Sequence, residues 1–415
     1  MVFTAAVNML LARMLAPSEM GGYYIAISMV ALIAGIGRVG MGQAVIRLVS
    51  ESVAVNKFGR ARQAVFKSAL LSLAGGIVLA FLYYFGLGDL LAKSIFHSSG
   101  ISSIAGLMAF AIIILSVQRV ISEAFQGFHD MRGASISGSA LPPAVFIAGL
   151  LLLRAFPGHP ELQKVFVTYV ISAAVAVIIS GVFLRPKILN LQGSGNLAYN
   201  ELLSIGLPVC LINIAVFASS QADLWIVGSV LSGKDAAVYG SVQRLIIFMT
   251  LSYGFVAAIF QSTVAELYVK GENRILERIA QGLTFWGCVA TGILAVLYVF
   301  WGTEILRIFF GKFYEAGYWP LFILSIGQFV SLLFGPNAMI LTMTGHQTGL
   351  MALTVIIGIL TVPFGIFFAR ISGIVGVSII TAASSVIFEF CAWFMVCRKL
   401  GIKTHANFRR AVIAA

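Results

Sequence analysis

The chain has 415 residues, of which 60% are hydrophobic and only 10% are charged, whereas soluble globular proteins average about 45–50% and about 25%. A mean hydropathy of +1.00 agrees with this excess, so the composition excludes a water-soluble protein and predicts a polytopic membrane protein. The net charge of +12 is compatible with a nucleic-acid partner or with basic cytoplasmic loops, and the positions of the basic residues decide between them.

Runs of about 20 apolar residues, bounded by charges or by Gly and Pro breaks, predict twelve membrane spans. In chain order the predicted spans are 1–15, 22–46, 66–87, 102–126, 138–156, 164–184, 202–231, 237–265, 276–301, 318–343, 348–369 and 373–397. The fold class predicted from them is an all-α membrane protein. Within the tenth span, Gly335-Pro336-Asn337 predicts a bend.

The basic residues predict the orientation, because basic segments next to short spans stay in the cytoplasm. With the N-terminus inside, 16 of the 27 basic residues fall in cytoplasmic segments and 8 on the other side. We therefore expect both termini in the cytoplasm and no nucleic-acid partner. Four basic residues form a predicted cytoplasmic rim, which either collects anionic lipid headgroups or only anchors the topology: Arg47, Lys57, Arg60 and Arg62.

An internal repeat relates the two halves of the sequence. Residues 11–28 align with residues 227–244 at an offset of 216, and residues 82–85 align with residues 297–300 at an offset of 215. Two nearly equal offsets predict two six-helix lobes that enter the membrane from the same side, with a substrate path between them. The predicted limits are 1–184 for the first lobe, 185–201 for a cytoplasmic linker, 202–397 for the second lobe and 398–415 for a basic cytoplasmic tail.

The search for enzymatic motifs finds no GxxxxGK[ST], HExxH or GxSxG sequence and no loop long enough for a soluble catalytic domain. The four cysteines lie inside apolar runs without a CxxC pair, so neither a disulfide framework nor a zinc site is predicted: Cys210, Cys288, Cys391 and Cys397. We therefore expect a protein that is not an enzyme and that holds no metal or cofactor.

Several motifs resemble those of bacterial polysaccharide (O-antigen type) flippases, which belong to the multidrug/oligosaccharidyl-lipid/polysaccharide exporter (MOP) superfamily. They are residues 10–24, residues 40–47, Leu207-Pro208, Asp223 and Val238-Tyr239-Gly240. The resemblance implies a MATE-like architecture of two pseudo-two-fold-related lobes around a cavity that opens alternately to each side. It also implies flipping of a polyprenyl-diphosphate-linked oligosaccharide across the bacterial inner membrane for cell-surface polysaccharide biosynthesis. Membrane lipids and a polysaccharide polymerase complex are the other partners implied.

Three arginines fall inside predicted spans: Arg38, Arg119 and Arg244. A charge near the bilayer centre costs about 2.5–3.5 kcal/mol and usually faces a bundle interior or a wet cavity. We expect Arg38 about 5 Å and Arg119 about 8 Å from the centres of their spans. Glu123 lies one helical turn after Arg119 and is expected to neutralise it in part, whereas Arg38 has no partner in the local sequence.

Arginine presents a permanently charged planar fork that suits phosphate oxygens. We therefore hypothesise that Arg38 and Arg119 bind the diphosphate or an acidic sugar of the cargo. The alternative is that Arg119 pairs with Glu123 while Arg38 caps carbonyl groups or fixes helix packing.

The second half contributes two carboxylates to the candidate sites. Asp223 and Arg244 lie at similar depth on consecutive spans and are predicted to form an ion pair. The alternative is that Asp223 takes up a proton or Na⁺ and releases Arg244. Glu389 is a second candidate for coupling to a proton or Na⁺ gradient, or lies in the interfacial zone. Six polar residues are expected either to contact sugar hydroxyls or to join helices: Gln43, Gln118, Asn213, Gln221, Gln243 and Asn337.

Three other functions are compatible with parts of the pattern. A cation-coupled multidrug exporter of the same superfamily would favour acidic cavity residues, whereas the first half supplies Arg38. A membrane glycosyltransferase or polymerase would need a larger catalytic loop. A structural membrane subunit would need neither the repeat nor the intramembrane charges.

Overall fold

The computed structural model describes residues 2–90, 94–96, 99–155, 160–189 and 196–405. Every longer regular element in these residues is a helix, which confirms the predicted all-α membrane architecture. The chain forms two compact units, Met1–Ala218 and Ser219–Ala415, called the first and the second unit below. The predicted limits of the lobes, linker and tail stay a prediction.

Seven longer helices and the start of an eighth lie in the described part of the first unit. They are α1 (Val2–Met14), α2 (Pro17–Gly37), α3 (Met41–Ala54), α4 (Phe58–Leu82), α5 (Ala105–Gly127), α6 (Leu141–Ala155), α7 (Leu162–Leu189) and α8 (Tyr199–Val230), which continues into the second unit. Shorter helical turns are Tyr83–Leu87, Gly88–Leu90, Ser99–Ser103, Met131–Ser135 and Ile136–Ala140. Helix α2 begins with proline at its first position. Proline lacks a backbone N–H, but an N–H at this position would have no acceptor within the helix.

The predicted span 22–46 is not one helix. Helix α2 ends at Gly37, and α3 begins at Met41 after Val39 and Gly40 adopt φ values of 51° and 69°. The backbone of α8 crosses this break so closely that a Cβ atom on Gly40 would lie 1.9 Å from the carbonyl oxygen of Gly206. Glycine therefore serves here both for its left-handed backbone and for its missing side chain.

Helix α3 is amphipathic and joins α4 and α5 in the core of the first unit. Its buried face packs with residues of α4 and α5, while its opposite face is polar and exposed. The exposed residues Gln43, Arg47 and Glu51 recur every four positions, which places them in one stripe along the helix. This polar stripe distinguishes α3 from α2, whose residues are apolar along nearly the whole helix.

In each unit a short chain segment is hydrogen-bonded to side chains of a membrane helix, α4 in the first unit and Asn273–Phe309 in the second. In the first unit, the Leu197 N–H donates to Gln63 of α4 at 3.0 Å, and the Leu197 carbonyl accepts from Lys67 at 2.5 Å. In the second unit, Gln281 donates to the Lys403 carbonyl at 2.9 Å. Part of the predicted linker and part of the predicted tail are therefore held by side chains of a membrane helix.

The second unit continues with five further helices. They are α9 (Gly233–Val269), α10 (Asn273–Phe309), α11 (Tyr318–Leu332), α12 (Asn337–Met343) and α13 (Gln347–Leu400), with the short turn Lys312–Gly317 before α11. The segment Lys312–Leu332 meets α12 at a bend of 44°, which confirms the bend predicted at Gly335-Pro336-Asn337.

Eight helices in the described ranges are long and apolar enough to cross a membrane, or nine if the bent pair is one span. One of them, α13, has 54 residues and a length of about 80 Å, far more than the hydrocarbon thickness of about 30 Å. Its helical geometry is interrupted at Gly373, where φ is 60° and ψ is −141°. This interruption coincides with the start of the predicted span 373–397, while the total of twelve spans stays a prediction.

Candidate functional site

A cluster of three charged side chains forms in the first unit. Arg38 Nη1 lies 3.5 Å from Glu123 Oε1, and Arg119 Nε lies 3.8 Å from the same oxygen. The predicted partial neutralisation of Arg119 by Glu123 is confirmed. Arg38 also has a partner, which lies 85 positions further along the chain and gives no local signal in the sequence.

The position of Arg38 differs from the prediction. Helix α2 ends at Gly37, so Arg38 caps the end of a complete helix and is not in the middle of one continuous helical span over 22–46. Helix α2 has 21 residues and is about 30 Å long, which equals the hydrocarbon thickness. Arg38 is therefore expected at the level of the membrane interface, where a guanidinium is less costly than at the bilayer centre.

The shape of α3 allows the cluster to form. Glu123 lies over Gly42 so closely that a Cβ atom on Gly42 would be 1.7 Å from Glu123 Oε2. That oxygen is buried and accepts no hydrogen bond in the described structure. Two guanidinium groups thus share one carboxylate, and the cluster keeps a net charge of +1.

The three side chains differ in their exposure. The side chain of Arg119 is 57% exposed, that of Arg38 is 23% exposed, and that of Glu123 is 13% exposed. Arg119 is therefore the most accessible cation of the cluster, while Glu123 lies beneath the two arginines. An anion bound to Arg119 would compete with Glu123 for the hydrogen-bond donors of the guanidinium group.

The predicted polar contacts of the first unit separate into two groups. Gln118 is buried and donates to the Ser137 carbonyl at 2.6 Å and to Ser180 Oγ at 3.4 Å, which supports the interhelical alternative. Gln43 and Asn213 are exposed, so contact with sugar hydroxyls stays a prediction for both residues.

The predicted cytoplasmic rim is partly neutralised. Arg47 Nε donates to Glu51 at 2.7 Å, and Arg60 pairs with Glu201. Lys57 and Arg62 are exposed. Two of the four rim cations thus already have carboxylate partners, which weakens the rim as a collector of anionic headgroups.

A further ion pair ties the end of α7 to the loop after α5. Lys187 Nζ lies 2.9 Å from Asp130 Oδ2, and the Gly133 N–H donates to Asp130 Oδ1 at 2.8 Å. The hydrogen bonds from Gly133 and from Lys187 hold the pKa of Asp130 below its usual value. The described beginning of the predicted linker is therefore attached to the first unit.

In the second unit, the carboxyl group of Asp223 has partners other than the predicted one. Tyr239 Oη donates to Asp223 Oδ2 at 2.9 Å, and Gln243 Nε2 donates to Oδ1 at 2.8 Å. The backbone N–H of Leu224 is a third donor at 2.8 Å. Neutral donors on α8 and α9 thus engage both oxygens of Asp223, and the predicted ion pair with Arg244 stays a prediction.

The partners of Asp223 extend to α13. Tyr239 is fully buried, and its hydroxyl also lies 3.4 Å from Thr381 Oγ1. Hydrogen bonds around Asp223 thus connect α8, α9 and α13. Gln221 is half-buried on α8. Its predicted contact with sugar hydroxyls or with another helix stays a prediction.

Glu389 and Asn337 lie together in the second unit. Asn337 is fully buried at the start of α12, where its side chain donates to the Phe334 carbonyl at 2.9 Å and accepts from Thr404 at 2.6 Å. Glu389, on α13, is also hydrogen-bonded to Asn337. The sequence did not indicate the role of Thr404, because the contact depends on the chain turning back after α13.

Comparison with known proteins identifies relatives by sequence family and by fold. The sequence model of a family described as "Polysaccharide biosynthesis protein" matches residues 2–265, more than half of the chain. No curated protein sequence matches the chain.

Solved structures of three transporters have a similar fold. An inward-facing multidrug resistance MATE family transporter of the MOP superfamily is 14% identical, with a TM-score of 0.81 over 96% of this chain and 94% of that chain. The lipid II flippase MurJ, in an inward closed conformation, is 16% identical, with a TM-score of 0.71 over 95% and 85% of the two chains. A MOP superfamily transporter from Pyrococcus furiosus is 13% identical, with a TM-score of 0.64 over 96% and 92%. At these identities the similarity establishes the MOP transporter fold.

Proposed function

Because the chain belongs to the polysaccharide biosynthesis protein family, we propose that it flips a polyprenyl-diphosphate-linked oligosaccharide from the cytoplasmic to the outer leaflet of the bacterial inner membrane. The cargo would then serve cell-surface polysaccharide assembly, with a polysaccharide polymerase complex as the next partner. The fold supports a flippase or exporter, since one of the similar structures is a lipid II flippase.

The observation that carries the proposal is the cluster of Arg38 and Arg119 over the single carboxylate of Glu123. A diphosphate offers several anionic oxygens, and each guanidinium group can donate two parallel hydrogen bonds to them. Glu123 holds both guanidinium groups in place when no cargo is bound. A diphosphate would displace this carboxylate from the guanidinium donors, and Glu123 would pair with them again after release.

The level of the cluster also suits a lipid-linked diphosphate. The diphosphate of such a lipid lies at the membrane surface before it crosses, and Arg38 lies at the end of a helix as long as the hydrocarbon is thick. The cluster would therefore make first contact with the headgroup, while the polyprenyl chain stays among the lipids. Exchange between two access states, driven by a proton or Na⁺ gradient, would complete the transfer.

The experiment compares arginine variants in proteoliposomes that contain a fluorescent polyprenyl-diphosphate-linked oligosaccharide. Arg119→Ala and Arg38→Ala are expected to slow flipping by about tenfold or more, since each removes a charge-assisted contact of about 1.5–3 kcal/mol. Arg38→Lys keeps the charge but loses the planar fork, so an intermediate rate is expected.

The matched control is Arg132→Ala, which removes an exposed arginine of the same unit outside the cluster. This variant is expected to flip at the unaltered rate when reconstituted in equal amount. Wild-type rates in both Arg38→Ala and Arg119→Ala would overturn the proposed role of the cluster.

A cation-coupled multidrug exporter is the second candidate. The fold similarity to a multidrug resistance transporter and the two carboxyl groups of the second unit, Asp223 and Glu389, favour it, because carboxylates suit cationic drugs. An efflux assay with ethidium separates the two functions. Drug efflux that is lost in Asp223→Asn but retained in Arg38→Ala would favour the exporter.

A further inference from the structure

The chain turns back at the end of α13 and packs into the core of the second unit. Gly401 ends α13 with a left-handed backbone, at φ 68°. Residues 401–404 are called the strap below. Ile402 is 1% exposed, Thr404 is fully buried, and Ile402 belongs to the same hydrophobic cluster as residues of α10, α12 and α13. The strap is therefore a buried, non-helical segment that lies among three helices.

Three side chains of α10 hold the backbone of the strap. Glu277 accepts from the Lys403 N–H at 3.2 Å, and Gln281 donates to the Lys403 carbonyl at 2.9 Å. One turn later, Thr284 donates to the Thr404 carbonyl at 3.0 Å. Side chains three and four positions apart share one face of a helix, so α10 binds the strap along a single polar stripe.

The strap also contacts both sides of the break between α11 and α12. The Thr404 hydroxyl lies 2.8 Å from the Phe334 carbonyl oxygen, before the break, and 2.6 Å from Asn337 Oδ1, after it. A methyl group on Gly335 would lie 2.6 Å from the Thr404 carbonyl oxygen. The strap therefore packs directly on the backbone of the break, and one hydroxyl group joins its two sides.

The local sequence interrupts the helix but does not fix the angle of the bend. Pro336 has no N–H to donate, so it breaks the series of hydrogen bonds that would join α11 to α12. Gly335, with φ 93°, has a wide choice of backbone angles. A defined bend of 44° therefore needs a group that touches both sides of the break, and Thr404 is such a group.

The internal repeat shows that the architecture does not require this break. Shifted by the repeat offset of 216, α5 at 105–127 corresponds to residues 321–343, which contain most of α11 and all of α12. The turns that follow agree with this register, because His129 and Gly345 are also 216 positions apart and both have positive φ. Helix α5 is uninterrupted, so the break distinguishes the second unit from the first.

We propose that Gly335-Pro336 is a hinge and that the strap is its latch. With the strap bound, α12 is held at the bend of 44°, and with the strap released α12 swings about the hinge. The contacts of Thr404 with Phe334 and Asn337 exist only in the latched state, so they bias the equilibrium toward it. Helix α12 has seven residues and is about 10 Å long, so a change of about 40° moves its end by about 7 Å.

The first measurement is hydrogen–deuterium exchange of the strap in the purified full-length protein. Thr404→Val removes the hydroxyl group and keeps the shape of the side chain, so the released population and the exchange rate are expected to rise about tenfold. Thr404→Ser keeps the hydroxyl group and is expected to exchange nearly like wild type. Gln281→Leu removes a donor on α10 and is expected to act like Thr404→Val, which tests the latch even if Thr404→Val fails to fold.

The second measurement is the distance between spin labels on α12 and α10. The labels are attached in Thr342→Cys and Ile293→Cys, at two exposed positions. The native cysteines are replaced, with Cys397→Ser to keep a donor to the Ile402 carbonyl. One main distance is expected with the strap intact. Thr404→Val is expected to add a second distance that differs by several ångströms.

The matched control is Thr354→Val, which removes a hydroxyl group that donates within α13 to the Leu350 carbonyl. This variant is expected to keep the wild-type exchange rate and distance. The proposal is overturned if Thr404→Val and Gln281→Leu both exchange like wild type, or if faster exchange leaves the label distance unchanged. It is also overturned if Thr354→Val produces the same second distance. No cargo is present, so the result is independent of the flippase proposal.

Discussion

The contact between Gly42 and Glu123 allows a substitution that perturbs the charge cluster without removing any charge. In Gly42→Ala the three atoms nearest to the added methyl group all belong to the Glu123 carboxyl group, the closest at 1.7 Å. Ordinary contacts begin at about 3.4 Å, so Glu123 Oε2 must move by about 1.7 Å. The end of a flexible side chain can make this movement, and we expect the protein to fold.

The electrostatic cost follows from the distance between Arg38 and Glu123. At 3.5 Å and an effective dielectric constant of about 20, the attraction is about 4.7 kcal/mol, and at about 5 Å it is about 3.3 kcal/mol. Displacing the carboxylate thus removes about 1.4 kcal/mol of attraction. Alanine in a helix regains up to about 1 kcal/mol relative to glycine, so the net destabilisation of Gly42→Ala is expected to be about 0.4–1.4 kcal/mol.

The assay is chemical unfolding in detergent micelles, with Gly35→Ala as the matched control. A methyl group on Gly35 would lie 3.8 Å from Arg38 Nη2, an ordinary contact, so this variant is expected to be as stable as wild type or more stable. In a Glu123→Ala background the obstacle to the Gly42 methyl group is gone, and Gly42→Ala should no longer destabilise. An undiminished loss of stability in that background would refute the reasoning.

Two further predictions concern the second unit. Tyr239→Phe removes a donor to the buried carboxyl group of Asp223 and is expected to lower the free energy of unfolding by about 1–3 kcal/mol. Tyr298→Phe, whose hydroxyl donates to a backbone carbonyl, is expected to lower it by about 1 kcal/mol. A loss for Tyr239→Phe smaller than that for Tyr298→Phe would contradict a structural role for the Tyr239–Asp223 hydrogen bond. Gly335→Ala is expected to lower the melting temperature more than Gly345→Ala. Both glycines have positive φ, but only the methyl group on Gly335 would lie 2.6 Å from a backbone oxygen, which adds about 1–3 kcal/mol of strain. A smaller drop for Gly335→Ala than for Gly345→Ala would show that the bend is not packed as described.

The amino-acid sequence by itself determined the membrane class, the all-helical fold and most helix positions. Apolar runs as long as the bilayer is thick leave a helix as the form that satisfies every backbone hydrogen bond internally. It also predicted the approach of Glu123 to Arg119, because residues four apart share a helix face, and the bend at Gly335-Pro336-Asn337, because proline and glycine interrupt helices locally. Each of these features is set by residues that are close together in the sequence, which is why the sequence alone predicts them.

Only the tertiary structure decided which distant groups meet. Arg38 and Glu123 come from separate helices, and their contact depends on the missing side chain of Gly42. The break at Val39 and Gly40 lies within an apolar run. Hydropathy carries no information about backbone dihedral angles, so it predicted one continuous span there. The partners of Asp223 and the contact between Asn337 and Glu389 likewise join several helices, since a side chain's neighbours across a bundle are set by packing, which no local pattern encodes.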